Sequence, residues 1–385
     1  MTINMPNWAR ATLRIGILVT MGALLLKALG LAPFTNAFSS SEWPKTDFDK
    51  RTVDLSEIRS GGPPKDGIPA IDEPKFISVE QAATQFGPRE PVIVATYNGD
   101  ARAYPLQILI WHEIVNDEVG GVPISVTFCP LCNASIIFDR RHRGQVLDFG
   151  TTGRLRKSDL VMYDRQTETW WQQFNGEGIV GEYAGDTLTQ LPTRIVAFED
   201  FGSNHPDGKV LSTETGYYRD YGRNPYSGYD SINNSPFLLS DPVDPRLPPM
   251  ERVLAVSNAG GHRLYPFTVL RSEPVINDTF GGLHVAVFSK NNTASVLDTS
   301  RTVEGRQIPA ANAFARRVDG KVLEFTVRDG RIVDTATGSA WNILGESTAG
   351  PMRGKRLEPL TGGVHFAFAW LVFRPDSEIY GAAAQ

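Results

Sequence analysis

Residues 111–133 read WHEIVNDEVGGVPISVTFCPLCN and contain both cysteines of the chain, Cys129 and Cys132. The Gly120-Gly121 pair separates two largely apolar stretches, a pattern typical of two antiparallel strands joined by a tight turn. His112 stands on the first side of this predicted hairpin, and the Cys-x-x-Cys pair ends the second side. The stretch therefore predicts a site at which imidazole and sulfur groups meet.

The residues around this stretch recur at a constant offset of 161 positions along the chain. Arg102-Ala-Tyr-Pro105 returns as Arg263-Leu-Tyr-Pro266, and Val115-Asn-Asp117 returns as Ile276-Asn-Asp278. Short apolar runs separated by Gly and Asn turns, with little sustained helical periodicity, favour strands in both copies. The sequence predicts a mainly β, or β-rich α+β, protein with two tandem related β domains, and leaves open whether each is a sandwich or a barrel.

The copies and the segments between them define the predicted domain organisation. The predicted segments are residues 38–74 as an extended segment, 75–205 as the first repeat with the Cys-x-x-Cys site, 206–249 as a connection rich in Pro, Gly and Tyr, 250–376 as a second, degenerate repeat, and 377–385 as a tail. The tyrosines of the connection can pack, so we expect an ordered segment, although a plain tether is also compatible with its composition.

The N-terminal residues 1–37 resemble an export signal or a membrane anchor. Arg10 and Arg14 precede a largely apolar run from Ile15 to Leu26, which is the charge and hydropathy pattern of such segments. The sequence thus predicts a location outside the cytoplasm, in the periplasm or on the outer face of the cytoplasmic membrane, with membrane contact only through this segment.

The charge of the chain gives no reason to expect a nucleic-acid partner. The net charge is −5 and the isoelectric point is about 5.8. Nucleic-acid binding usually requires a concentration of basic residues. We therefore expect a metal ion or a small anionic molecule as the ligand.

The two cysteines suit chemistry better than stabilisation. A bridge between them would close a four-residue loop, for which the chain-entropy model gives roughly 2 kcal/mol at best. In the second copy, the position of His112 is held by Glu273 and that of Cys129 by Lys290. The asymmetry assigns the site to the first copy. Thiolates with an imidazole suit copper or zinc, and a thioether favours copper, so the predicted ligands are His112, Cys129, Cys132 and Met162, with copper first and zinc second.

Two other functions are compatible with the same thiols. Cys129-Pro-Leu-Cys132 has the spacing of thiol–disulfide oxidoreductases, in which one thiolate attacks and the other resolves. Those enzymes place the pair at a helix N-terminus, whereas residues 133–138 favour a strand. The third possibility is a non-catalytic module that binds another component of the cell envelope.

A basic segment that follows Phe149 could bind an anion. Arg154 and Arg156 lie beside Thr152 and Ser158, and guanidinium and hydroxyl donors suit carboxylate or phosphate groups. A solvated surface loop is an equally good interpretation. If the segment faces the cysteines, Glu113 becomes a candidate acid or base beside Cys129 and Cys132, and the site becomes catalytic.

Several motifs of the first copy resemble a known family. They are Ile110-Trp-His-Glu-Ile-Val-Asn-Asp117, Thr127-Phe-Cys-Pro-Leu-Cys-Asn133, Asp148-Phe-Gly-Thr-Thr-Gly153, Ser158-Asp-Leu-Val-Met-Tyr-Asp164 and Thr169-Trp-Trp-Gln-Gln173. Together they are similar to the bacterial and archaeal family catalogued as domain of unknown function 3179. The likeness covers most of residues 75–376 and implies membership of a coherent family, without implying a reaction.

Overall fold

The computed structural model describes residues 41–381. The described residues from Lys45 onward form one compact unit. The predicted export signal or anchor, residues 1–37, lies outside the described residues. None of the helices within residues 41–381 has the length and apolar character needed to span a bilayer.

Short strands make up most of the regular structure in the first half of the compact unit. They are β1 (Ile58–Ser60), β2 (Phe76–Ser78), β3 (Pro91–Tyr97), β4 (Asp100–Pro105), β5 (Ile114–Val119), β6 (Val122–Cys129), β7 (Ala134–Asp139), β8 (Arg141–His142), β9 (Gln145–Val146), β10 (Phe149–Arg156), β11 (Asp159–Asp164), β12 (Trp170–Gln172), β13 (Gly178–Val180), β14 (Gln190–Leu191), β15 (Arg194–Ala197) and β16 (Lys209–Leu211).

The second half is built from strands of similar length. They are β17 (Arg252–Asn258), β18 (Gly261–Pro266), β19 (Val275–Phe280), β20 (Leu283–Ala294), β21 (Gln307–Ala315), β22 (Arg317–Val318), β23 (Lys321–Val322), β24 (Phe325–Arg328), β25 (Arg331–Asp334), β26 (Ala340–Trp341), β27 (Ser347–Ala349), β28 (Glu358–Pro359), β29 (Gly362–Phe366) and β30 (Glu378–Ile379).

Helices are few and short. They are α1 (Val79–Ala82), α2 (Leu106–His112), α3 (Phe198–Asn204), α4 (Phe267–Leu270) and α5 (Ala367–Phe373), with 3₁₀ turns at Leu55–Glu57 and Thr302–Glu304. The prediction of a mainly β protein is confirmed.

The sheets of the two halves have corresponding strand orders. In the first half the order β14-β7-β6-β5 forms one sheet, and in the second half β28-β21-β20-β19 forms another. Strands β15-β3-β4-β16 correspond in the same way to β29-β17-β18-β30, with β2 added beyond β16. Strands β10-β11-β12-β13 correspond to β24-β25-β26-β27, with β1 added beside β10.

The predicted hairpin of the quoted stretch is confirmed. Strands β5 and β6 pair antiparallel, with Val119 opposite Val122. Gly120 and Gly121 form the turn with φ of 54° and 79°, a region that glycine enters without the steric cost of a side chain. A Cβ at Gly120 would lie 2.1 Å from the backbone oxygen of Tyr97, so the turn also needs glycine for space.

The sequence predicts that His112 lies on the first strand of this hairpin. In the structure, His112 is the last residue of helix α2. The run Leu106–Ile110 is buried throughout and is apolar apart from Gln107, and periodicity alone does not distinguish a buried strand from a buried helix in such a run. Pro105 precedes it in an extended conformation, which suits the start of a helix. The ring of His112 is therefore attached to the C-terminal end of α2 and not to a strand of the hairpin.

Corresponding polar contacts hold the third sheet of each half. Asp164 accepts hydrogen bonds from the Thr167 backbone nitrogen (2.6 Å) and from Trp171 Nε1 (2.9 Å). In the second half, Asp334 accepts the same bonds from Thr337 (2.7 Å) and Trp341 (3.1 Å). Both aspartates and both tryptophans are buried, so each carboxylate satisfies an indole donor that water does not reach.

We expect Asp164→Ala to lower the free energy of unfolding by about 3 kcal/mol, because it leaves the buried Trp171 indole and the half-buried Thr167 backbone nitrogen without an acceptor. Chemical denaturation monitored by tryptophan fluorescence measures the loss. Asp334→Ala is the matched variant and should cost a similar amount. A change below about 0.5 kcal/mol for either variant, the usual range for surface substitutions, would contradict this role.

One hydrophobic core joins the two halves. It contains Phe138 and Phe149 of the first half together with Phe288 and Phe314 of the second. The connection packs against the same core through three tyrosines, namely Tyr221, Tyr226 and Tyr229. The composition of the connection predicts such packing. The connection is thus an ordered part of the unit.

Candidate metal centre

The Cys-x-x-Cys pair lies in the turn between β6 and β7. Cys129 ends β6 opposite Ala134, which starts β7. Asn133 has φ of 50°, a left-handed conformation that asparagine adopts more readily than most residues, and its backbone nitrogen donates to the Pro130 oxygen. The prediction of a strand after this turn is confirmed, since β7 is Ala134–Asp139.

A second turn brings Asp159 to the cysteines. Lys157 and Ser158, with φ of 54° and 65°, connect β10 to β11, and Asp159 opens β11 opposite Arg156. The Sγ atoms of Cys129 and Cys132 and a carboxylate oxygen of Asp159 all lie within 4.8 Å of one another. The three residues are buried, so the two turns form a compact group of two thiols and one carboxyl.

One oxygen of Asp159 is held and the other is not. Its Oδ2 accepts hydrogen bonds from Gln172 Nε2 (2.6 Å) and from the Phe174 backbone nitrogen (2.9 Å). Its Oδ1 is buried without a hydrogen-bond partner. Burial raises the pKa of Asp159 to about 6, so the group carries a negative charge at neutral pH. The two thiols are the neighbouring groups that remain able to donate to this carboxylate, and a cation held between them would satisfy the free oxygen.

Both thiols are free and protonated in the absence of a cation. Burial raises the pKa of Cys129 and raises that of Cys132 well above its ordinary value. The Cys132 thiol donates to the Ser158 backbone oxygen at 3.4 Å. An ion bound here would favour the thiolate forms, because metal binding requires deprotonated sulfur.

Glu113 stands beside this group with an unusual backbone and side chain. It ends α2 with φ of 59°, a left-handed conformation that costs a non-glycine residue about 1–2 kcal/mol. Only 7% of the residue is exposed. Burial raises the pKa of Glu113 to about 8, and the negative charge of Asp159 adds to the effect.

A cavity of about 280 Å³ opens beside the group. Glu113 lines it together with Leu131, which lies between the two cysteines, and Leu160, which follows Asp159. Tyr226 and Phe237 of the connection form another part of the wall. Buried acid and thiol groups beside a cavity are features typical of ligand sites.

A family model covers this whole arrangement. The model described as a protein of unknown function, DUF3179, matches residues 65–377, which include the cysteines, Asp159, Glu113 and both halves. The chain belongs to this family. The family resemblance predicted from the sequence motifs is thereby confirmed. Searches of curated proteins and of solved structures found no match to the chain.

Of the four metal ligands predicted from the sequence, the structure brings the two cysteines together with a different partner. His112 is not in the group of Cys129, Cys132 and Asp159. Its Nδ1 lies 2.7 Å from the Pro69 oxygen and its Nε2 2.6 Å from Tyr221 Oη, so both ring nitrogens are engaged. Burial lowers the pKa of His112 to about 4, which leaves a neutral ring joining α2 to the connection.

Met162 belongs to the hydrophobic core of the unit. It is fully buried on β11, where Thr151 and Trp171 are its neighbours on the paired strands. The core position agrees with the usual role of a single methionine.

The four residues of the predicted anion pocket do not converge on one ligand. Arg156 pairs with Glu57 at 2.8 Å, and the Thr152 hydroxyl donates to the Val161 backbone oxygen. Arg154 lines the cavity, with its guanidinium 5.5 Å from the Trp170 ring. Ser158 is buried in the turn that presents Asp159. The bulge between Thr151 and Arg154 shifts the register between Thr152 and the two arginines, which lie two residues apart on the same face of β10.

Asp159 joins the two cysteines although no sequence pattern around it predicts a ligand. The comparison of the two halves contains the signal. Arg156 pairs with Asp159 across the β10–β11 turn, and Arg328 pairs with Arg331 across the β24–β25 turn. Met162 pairs with Trp171 and Ile332 pairs with Trp341, so Arg331 corresponds to Val161, and the hairpin of the second half turns at the position of Asp159. Glu113 differs similarly, since the offset of 161 places Pro274 at its position.

Proposed function

We propose that the protein binds a transition-metal ion through Cys129, Cys132 and Asp159, with zinc as the preferred metal. The observation that carries the proposal is the spacing of the three buried ligand atoms, all within 4.8 Å of one another. Proteins bind zinc through cysteine sulfur and carboxylate oxygen, and sites with three protein ligands leave one position for water or substrate.

The electrostatics of the group support a cation. Burial raises the pKa of both thiols and of Asp159, which means that the protein alone disfavours their charged forms. A divalent ion would reverse this preference and supply a partner to Asp159 Oδ1. The described part of the second half lacks this combination, because Lys290 holds the position of Cys129 and the β24–β25 hairpin turns at the position of Asp159.

Zinc has better support than copper. The sequence argument for copper depends on an imidazole and a thioether, but His112 is engaged by Pro69 and Tyr221, and Met162 lies in the core. A carboxylate is a hard ligand and adds little affinity for Cu(I). Two thiolates could still bind Cu(I), so copper is the second metal to test.

A thiol–disulfide oxidoreductase is the alternative with less support. The attacking cysteine of such enzymes has a lowered pKa, whereas burial raises the pKa of Cys129 and of Cys132. The pair also joins two strands and does not precede a helix. A non-catalytic envelope module would leave the unpaired Asp159 oxygen and the adjoining cavity without a role.

The location and history of the chain are part of the proposal. The basic and apolar pattern of residues 1–37 supports export or a membrane anchor, with the compact unit outside the cytoplasm. The corresponding strand orders support two copies of one ancestral unit, of which the first alone retained the metal ligands.

Metal analysis of the full-length protein tests the proposed function. After purification under reducing conditions and dialysis against zinc, inductively coupled plasma mass spectrometry should find stoichiometric zinc in the wild-type protein. The Cys129→Ser, Cys132→Ser double variant should contain almost none, because a serine hydroxyl is a poor ligand at neutral pH.

His112→Asn is the control variant, since it removes the imidazole ring that the sequence predicts as a metal ligand. It should retain full zinc content. Zinc content unchanged in the double cysteine variant, or lost in His112→Asn while that protein remains folded, would contradict the assignment. A metal-free wild-type protein with a readily reduced disulfide would favour the oxidoreductase instead.

A further inference from the structure

We propose that the seam between the two halves binds a small oxyanion, such as a phosphate group, through the side chains of Arg194 and His205. The seam is the place where β15 and α3 of the first half meet the loop between β26 and β27 of the second half. The proposed metal ligands Cys129, Cys132 and Asp159 are not part of it. Anion binding at the seam therefore goes beyond the proposed function, and each can fail without the other.

Strand pairing and helix α3 bring the two side chains to the same end of one sheet. Arg194 is the first residue of β15, which pairs antiparallel with β3, and β3 pairs antiparallel with β4. The N-termini of β15 and β4 therefore lie at the same end. His205 follows α3, and the chain then enters β16, which runs parallel to β4 with Lys209 opposite Arg102. The crossover thus returns His205 to the end of the sheet at which Arg194 begins.

Each of the two side chains has a nitrogen atom that the protein encloses without satisfying it. Arg194 Nε and His205 Nε2 are buried and have no hydrogen-bond partner among residues 41–381, although both residues as a whole are half-buried. Buried polar atoms normally have a partner, because leaving one unpaired destabilises the folded state. An oxyanion offers several acceptor atoms at once and could satisfy both nitrogens.

The charges around the two side chains leave an excess of positive charge. Burial lowers the pKa of His205, Glu346 opposes that shift, and Arg194 and Arg356 add to it, so these groups lie within electrostatic range of the ring. Glu346 is also the carboxylate that acts on Arg194. It already pairs with Arg356, whose Nε lies 3.2 Å from Glu346 Oε1. Two guanidinium groups thus share one carboxylate, and a guanidinium without its own partner suits a bidentate oxyanion.

Other charged groups at this end of the first half form pairs of their own. Asp139 pairs with Arg141 at 2.6 Å, and Asp100 pairs with Arg102 at 2.8 Å and with Lys209 at 3.3 Å. These carboxylates are compensated, so they would not repel an anion strongly. The uncompensated charge remains on the guanidinium at the start of β15.

An open groove connects His205 with solvent. Its volume is about 580 Å³, and its walls are residues 99–101, in the turn between β3 and β4, and residues 204–209. Asp207 also lines the groove, but it is exposed, so water and salt screen its charge. The groove has ample room for a phosphate group and part of a small molecule that carries one. An anion would reach Arg194 past the ring of His205.

Hydrogen bonds between the halves hold the walls of the seam in place. The Ile195 backbone nitrogen donates to Asn312 Oδ1 at 3.2 Å, which fixes β15 against β21 of the second half. Asn342 Nδ2 donates to Asn204 Oδ1 at 2.6 Å, which fixes the end of α3 against the loop after β26. Because the donors are already positioned, an anion would not have to order them, and this favours binding.

The scaffold that the two halves share does not require an arginine at this position. Arg194 lies opposite Val94, and the offset of 161 relates Val94 to Ala255. In the second half Ala255 lies opposite Gly363. The corresponding strand therefore forms with a glycine, which supports a role for Arg194 other than holding the sheet together.

Isothermal titration calorimetry of the full-length, chelator-treated protein with sodium phosphate at pH 7 tests the proposal, with ionic strength held constant by sodium chloride. The wild-type protein should bind one phosphate per chain with a Kd below about 1 mM. Arg194→Met keeps most of the apolar stem and removes the charge, so it should weaken binding at least about tenfold. Arg301→Met is the control, because Arg301 is an exposed arginine that pairs with Asp220 at 3.4 Å, and it should bind like the wild-type protein.

Thermal unfolding separates binding from a structural role. In phosphate-free buffer Arg194→Met should be at least as stable as the wild-type protein, because it removes a half-buried charge that lacks its own partner. Phosphate should raise the Tm of the wild-type protein and leave that of Arg194→Met unchanged. A purely structural arginine would give the opposite pattern, with a lower Tm in Arg194→Met and the same response to phosphate in both proteins.

Three results would overturn the proposal, namely no saturable phosphate binding by the wild-type protein, equal binding by Arg194→Met and Arg301→Met, or the structural pattern in thermal unfolding. Adding zinc to the chelator-treated protein separates anion binding from the proposed function. Phosphate affinity that does not depend on zinc, with wild-type zinc content in Arg194→Met, supports the seam as a separate site. Phosphate binding that appears only with zinc would assign the anion to the metal and reject the seam.

Discussion

Asp159→Asn is expected to reduce zinc affinity at least about 100-fold, a loss of about 2.7 kcal/mol, while reducing Cu(I) affinity less than about tenfold. The substitution keeps the size of the side chain and an oxygen that can accept from Gln172 and Phe174. It removes the negative charge of a buried ligand, on which a divalent ion depends more than Cu(I) does, because Cu(I) is bound mainly by thiolate. Competition against chromophoric chelators of known affinity measures both constants.

Asp164→Asn is the matched control for this experiment. It removes an equally buried carboxylate at the other end of strand β11, outside the proposed group. Its zinc affinity should remain within about threefold of the wild-type value, because it changes no ligand. Equal losses for zinc and Cu(I) in Asp159→Asn, or a zinc loss of the same size in Asp164→Asn, would remove Asp159 from the ligand set.

Glu113 should make the metal-free protein less stable as the pH rises. Its pKa is about 8 in the folded protein and 4.5 as the ordinary value, so between these pH values the folded state holds a proton that the unfolded state has lost. The stability from this proton is fully present below about pH 4.5 and is lost as the pH rises through 8. In this window the group lowers the free energy of unfolding by up to about 1.4 kcal/mol per pH unit.

Glu113→Gln should remove that contribution, and the slope of stability against pH should decrease by about 1.4 kcal/mol per unit between pH 5.5 and 7. Urea denaturation at several pH values, with a chelator present, provides the measurement. Glu90→Gln is the matched control, because burial also raises the pKa of Glu90 to about 8. A slope that changes for Glu90→Gln but not for Glu113→Gln would mean that Glu113 is ionised in the folded protein.

The architecture could be predicted because its signals are local. The glycines at 120 and 121 predict the turn that the hairpin contains, and residues 133–138 predict a strand after the cysteines, observed as Ala134–Asp139. The helix that ends at His112 was not predicted, since a buried apolar run carries no period that distinguishes helix from strand. Because the helix was not predicted, the predicted position of the His112 imidazole ring was also wrong.

The site could be predicted only in part because its members come from separate turns. The cysteines are adjacent in sequence, and their absence from the second half was informative. Asp159 reaches them through the pairing of β10 with β11, and Glu113 through the end of α2, relations that no local pattern encodes. The cavity depends in addition on Tyr226 and Phe237, which lie about a hundred residues further along the chain.

The hydrogen bond between Tyr229 and the cysteine turn limits which insertions and deletions the connection can accept. Tyr229 donates to the backbone oxygen of Leu131, so the connection is fastened to the turn that carries both thiols. Deletions around Tyr226–Tyr229 would remove part of the cavity wall beside the cysteine turn. Insertions at the exposed Tyr218 would be tolerated, as at other loop tips. The segment between the halves is therefore constrained in length by the centre it covers.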